Sequence, residues 1–218
     1  MKELSMVEEY SLCVIANKNK TKVLYSDYKY SACIVAGAFS ELIMEGTIKN
    51  DDKGKVVIEK EQNNYSGYLE LIYNEINKQK PKTLKKWIEN YSFTFSSKPI
   101  KSLTEKITES LIDKECIQLE TKKGMLKEHS VLNIDKKKVD NIIEKIRAEF
   151  LEEGELTDET IILTALMLRT NMLKKYFSKY ENGKLKERIK QIKTNPIGSL
   201  VKKVLDQIDA IIIVAAIS

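Results

Sequence analysis

Segment after segment of this chain carries apolar side chains three and four residues apart, and that period points to helices. In DYKYSACIVAGAFSELIMEG, the residues Ala32, Val35, Ala36, Phe39, Leu42 and Ile43 share one helical face, with Gly46 placed to terminate it. Leu69, Ile72, Tyr73 and Ile76 make the same stripe, as do Leu84, Trp87, Ile88 and Tyr91 behind a capping Thr83. Further stripes run through Ile100, Leu103, Ile107 and Leu111, and through Val139, Ile142, Ile143, Ile146 and Phe150 after a capping Asp135. Thr157 caps a segment whose stretch from Ile161 to Leu168 is nearly all apolar, the mark of a central buried helix.

The period breaks at a few places. Residues 47–61 set β-branched side chains on both sides of an Asp-Asp-Lys-Gly turn and predict a β-hairpin, and ETKKGML predicts a second short hairpin or turn. The opening LSMVEEYSLCVIA reads as a short helix or an extended segment packed on the core. Asn182-Gly183 reads as a turn before the basic amphipathic KLKERIKQIK. The predicted fold is mainly α, a single globular helical domain over residues 1–218. It has a core helix bundle, surrounding amphipathic helices (about eight helices in all) and a small β-hairpin. Strands and helices do not alternate, which argues against a parallel-sheet enzyme fold.

The C-terminal LDQIDAIIIVAAIS tests that reading. Its run from Ala210 to Ile217 lacks polar side chains, but eight residues reach only ~12 Å as a helix, where a bilayer core needs ~20 residues. Lys202, Lys203, Asp206, Gln207 and Asp209 interrupt the turns before it. The tail is therefore read as the end of a core helix that starts at Asn195-Pro196. The N-terminus carries acids where a signal peptide would be apolar, so a cytoplasmic protein is expected.

A search for chemistry is mostly negative. There is no Gly-rich phosphate loop and no nucleophile elbow, and the single histidine, His129, excludes a multi-histidine metal site. Cys13, Cys33 and Cys116 lack metal or redox spacing and read as buried thiols. Glu8-Glu9 interrupts an apolar segment and reads as a helix cap or a pair of lysine partners. No enzymatic activity, metal or cofactor is expected. The formal net charge is +5, and only Arg147, Arg169 and Arg188 of the 37 basic residues are arginines. Lysine is a hydrated point charge without the planar fork of arginine, so loose attraction to an anionic surface fits better than nucleic-acid readout, and no nucleic acid is expected as a partner.

The order of motifs resembles the Golgi phosphoprotein 3 family. LSMVEE is similar to that family's opening Leu-Thr-Leu-x-Glu-Glu, and SELIMEGTI to its Glu-Leu-x-Leu-Arg-Gly-Arg-Ile. SGYLELIYNEI followed by TLKKWIENYS, then LTEKITESLIDKECIQLE, continue the family's order, and IILTALMLRTNMLKKYF and DAIIIVAAIS fall where it has its last core helices. The resemblance implies a non-enzymatic adaptor, peripheral at a membrane surface, that binds phosphatidylinositol 4-phosphate. It places the family's loop tryptophan on Tyr25 or on Ser26, depending on which flank is aligned. The family's helix arginine falls on Val35 and its later basic pair on Lys101 and Thr104, so the headgroup site is incomplete. The lipid-contact set expected from this is Tyr25, Lys101, Lys20, Lys22 and Lys98, facing an anionic phospholipid more loosely than the family site would. A protein partner or a second copy would use the 47–61 hairpin. The alternative is a soluble cytoplasmic interaction scaffold that keeps the fold without the lipid site.

Overall fold

The computed structural model describes residues 3–61, 67–92, 97–123, 128–152 and 154–194, with Lys202, Leu205 and Asp206. Helices α1 (Met6–Lys18), α2 (Val23–Ser26) and α3 (Tyr28–Met44) lead into strands β1 (Ile48–Asn50) and β2 (Lys55–Ile58). Helix α4 (Gly67–Lys78), strand β3 (Lys82–Thr83), and helices α5 (Leu84–Ser92) and α6 (Lys98–Asp113) follow. A second ladder, β4 (Ile117–Lys123) and β5 (Glu128–Ile134), precedes α7 (Lys136–Leu151), α8 (Asp158–Arg169), α9 (Leu173–Tyr176) and α10 (Lys179–Thr194).

Apolar side chains surround α1 on nearly every side, so the helix must be covered all round. It packs against α2, α3, α6, α7 and α8 and supplies the centre of one continuous core. Helix α3 lies close against it. A Cβ built on Gly37 would sit 2.9 Å from Val7 Cγ2 and 3.2 Å from Leu166 Cδ1, so the absence of a side chain there lets α1, α3 and α8 meet. Trp87 from α5 is buried against Phe39 of α3, with ring centroids 5.9 Å apart.

The predicted caps are present. Asp135 accepts from the backbone of Lys137 and Lys138, Thr157 from Thr160, and Thr83 from Lys86. Gly46 follows α3 with φ +69°, the left-handed conformation a helix stop favours. The first hairpin pairs Ile48 with Ile58 through Asn50 with Val56. It gains a third strand, since β3 pairs with β2. The second hairpin is longer than its sequence suggested, running antiparallel from Ile117–Ile134 to Lys123–Glu128. Ten helices are present among the described residues, because short α2 and α9 are too brief to show a period.

One expectation is overturned. Asn182 and Gly183 make no turn but lie inside α10. Ser178 and Glu181 start this helix: Ser178 Oγ accepts from the Glu181 backbone, and a Glu181 carboxylate oxygen accepts from the Ser178 backbone. The buried Asn182 amide then donates to the carbonyls of Phe177 and Ser178, at 2.7 and 3.0 Å. The turn-forming side chain thus ties the preceding segment to the helix rather than bending the helix itself. The tail from Ala210 lies outside the described residues. Most of the helix expected from Asn195-Pro196 lies outside them too; of its residues that are described, Leu205 is buried and Lys202 and Asp206 are exposed.

Candidate functional site

Helix α6 has two working faces. Ile100, Leu103, Ile107 and Leu111 face the core. Lys101, Thr104, Glu105, Thr108, Glu109 and Ile112 fall at i, i+3, i+4, i+7, i+8 and i+11, a second stripe that forms one wall of a surface hollow of about 500 Å³. The opposite wall is α2 with the turn before it, through Thr21, Lys22 and Tyr25, and Leu119 of β4 closes one end. The turn is made possible by Asn19, which ends α1 in the left-handed conformation at φ 52°. Leu24, fully buried, pins α2 to the core and leaves Tyr25 half-buried beside it. The rim is apolar as well as charged: Ile112 and Leu119 are two of the three large hydrophobic side chains exposed among the described residues, at 37% and 52%.

Of the predicted contact residues, Lys22, Tyr25 and Lys101 line this hollow together. Lys20 is exposed in the turn but is not among its lining residues. Lys98 points elsewhere: it lines a separate hollow of about 460 Å³ with Trp87, Tyr91 and Pro99, between α4, α5 and α6. Val35 is fully buried in α3, and Thr104, 2% exposed, donates its hydroxyl to the carbonyls of Ile100 and Lys101. Neither offers a donor to a ligand. The hollow is close to charge balance, because Glu105 pairs with Lys101 at 3.8 Å and Glu109 with Lys106 at 2.7 Å. All four of these side chains are well exposed, so the pairs are weak and exchangeable.

A buried carboxylate network lies behind α6, and apart from Glu8-Glu9 none of its members was singled out as a polar group in the sequence. Glu8 closes a capping box with Ser5 at the start of α1, accepts from Ser110 Oγ at 2.5 Å, and pairs with Lys114 Nζ at 2.5 Å. Ser5 Oγ lies 2.5 Å from the Tyr68 hydroxyl. Tyr68 donates to Glu41 Oε2 at 2.5 Å, and the Val7 backbone N–H donates to Glu41 Oε1 at 2.8 Å. Burial pushes the Glu41 carboxyl up to about 7, against the opposing pull of its bonds from Tyr68 and Val7. Glu9 receives both bonds of Lys145 at 2.6 Å, and burial still raises its pKa. The sequence reading of Glu8-Glu9 as cap and lysine partner is what the structure contains. Glu41 and Tyr68 were missed, because a glutamate on an apolar helix and a tyrosine beside an apolar stripe look alike whether wet or dry.

No group of three or more His, Cys, Asp or Glu among the described residues is placed to hold a metal ion. No helix among them is long and apolar enough to cross a membrane. Fold and hollow define a mainly helical protein whose open surface mixes lysines with apolar side chains. The chain belongs to the Golgi phosphoprotein 3 (GPP34) family, which matches it over residues 7–208. Among curated proteins no match was found.

Proposed function

We propose that the protein is a non-enzymatic peripheral membrane adaptor that meets anionic phospholipid at the hollow between α2, α6 and β4. The observation that carries this reading is the convergence of Lys22, Tyr25 and Lys101 with exposed Ile112 and Leu119, in a chain that belongs to the Golgi phosphoprotein 3 family. Lysines beside an aromatic ring and short apolar side chains suit the boundary between headgroups and acyl chains. With Val35 and Thr104 where the family carries cations, and with Glu105 and Glu109 in the wall, the site favours an anionic surface over one particular phosphoinositide. Residues 1–218 act as one domain, and the 47–61 hairpin serves a protein partner or a second copy. Flotation with neutral and anionic vesicles tests the lipid contact. Recovery should require anionic lipid and fall for Lys101→Glu. Equal recovery on both vesicles would sink the reading.

The charge balance of the hollow favours a second reading, a soluble interaction scaffold that keeps the fold alone. It predicts no vesicle recovery and a protein partner retained on the immobilised chain.

A further inference from the structure

The hollow is not where the positive charge of this protein is concentrated. From Leu173 to Thr194, spanning α9 and α10, eight basic side chains stand against two acidic ones, an excess of six where the whole chain carries +5. The remaining residues therefore balance to within one charge. The two acids do not neutralise this surface equally. Glu181 turns inward, accepting from Arg147 Nε at 3.1 Å and from the Ser178 backbone at 2.7 Å. Only Glu187 stands on the exposed side.

The lysines are ordered as well as numerous. Lys179, Lys186, Lys190 and Lys193 recur at i, i+7, i+11 and i+14, one stripe ~21 Å long. The first three are exposed and Lys193 is half-buried, while Leu185 and Ile189 hold the other side of α10 on the core. Lys174 and Lys175 on α9, which packs on α10, are exposed as well. Beside the stripe stands Tyr180, the most exposed large side chain with apolar character among the described residues, at 70%. Lys184 Nζ lies 4.7 Å from its ring centroid. One turn on, Gly183 leaves the helix surface bare, and a Cβ there would meet nothing within 4 Å.

We propose that the α9–α10 surface is a second membrane-facing element, which lays its lysine stripe and Tyr180 on an anionic phospholipid bilayer. Several lysines along one exposed stripe suit a diffuse sheet of headgroups, and an exposed tyrosine flanked by lysines suits the interface. A polynucleotide fits less well. The one arginine of the patch, Arg188, is half-buried and turns Nη1 to the Phe150 carbonyl at 2.8 Å, so the exposed stripe is made of lysines, without the planar fork that best grips a phosphate or a base edge. The inference stands on charge and placement in α9–α10 and does not depend on the hollow.

The test is sedimentation of the full chain with vesicles of phosphatidylcholine alone or in equal parts with phosphatidylserine, over a salt series. Lys186→Glu with Lys190→Glu should lower affinity for the anionic vesicles roughly tenfold or more and flatten the salt dependence, with melting unchanged. If that variant folds poorly, Lys186→Gln with Lys190→Gln gives the same direction. Tyr180→Ser should weaken binding at high salt more than at low salt. Unchanged binding by the double variants would overturn the inference, as would duplex DNA binding in place of vesicle binding. Lys101→Glu separates the two surfaces. Loss with the α10 variants and not with Lys101→Glu keeps this inference and removes the hollow; the reverse result removes this inference alone.

Discussion

Ion pairs flank helix α6 on both of its sides, and the two sides behave as different materials. Toward the hollow, Lys101 and Glu105 pair at 3.8 Å with more than half of each side chain exposed. Behind it, Lys114 and Glu8 pair at 2.5 Å with 18% and 3% of their side chains exposed. Water and salt screen the first pair, so it exchanges readily and contributes little to folding. The second is enclosed, and removing one member strands the other. An ion pair drawn in the same way is thus loose and wet on one side of the helix and part of the architecture on the other.

The largest expected break in this comparison is Glu8→Ala. It leaves Ser110 and the Ser5 backbone without this acceptor and Lys114 with only the Glu3 carbonyl, and unfolding in urea should show a loss of about 3–5 kcal/mol. A loss under about 1 kcal/mol would show that the enclosed network does not hold the helices together.

Glu41 sharpens the comparison through pH. Its carboxyl is raised in the fold from the ordinary value of 4.5 to about 7, mainly by burial. The folded state therefore holds this proton more tightly than the unfolded chain does. The stability it contributes is complete below about pH 4.5 and is lost as pH rises toward 7. Glu41→Gln removes that slope, so the variant should gain on the wild type by on the order of 3 kcal/mol between pH 4.5 and 8. Parallel stability curves for the two proteins would refute it.

Two glycines test the contrast by one methyl each. Gly37→Ala pushes into Val7 and Leu166, both fully buried, and should cost about 1–3 kcal/mol. Gly183→Ala meets open space on an exposed helix and should add about 0.5–1 kcal/mol. Calorimetry should find opposite signs. The smallest effect on stability is that of Lys101→Glu, within about 0.5 kcal/mol, although it is the variant expected to lose anionic vesicles from the hollow.

Most of the helical architecture was legible because burial imposes a period. The stripes from Ala32 to Phe150 are buried at the spacing the sequence shows, except at Leu69, which is half-buried beside a buried Tyr68. The site was legible only in part. Lys22, Tyr25 and Lys101 converge as expected, but Lys98, one turn from Lys101, lines a different hollow, and sequence spacing does not show which neighbour a lysine stem follows. The rim residues Ile112 and Leu119 carried no signal, since an exposed apolar residue and a buried one look the same in a sequence. Asn182 misled for a physical reason. Its amide is as ready to satisfy carbonyls ahead of a helix as to make a turn, and only tertiary placement decides between them.

Gly37 and Glu41 stand one turn apart on α3 and address the same residue of α1. A methyl at 37 would displace the Val7 side chain, and the carboxylate at 41 holds the Val7 backbone. The two positions therefore share one degree of freedom, the gap between the helices. A descendant of this chain that acquires a side chain at 37 widens that gap and leaves the grip at 41 too short. The pair is open to change only together, a constraint set by helix packing alone.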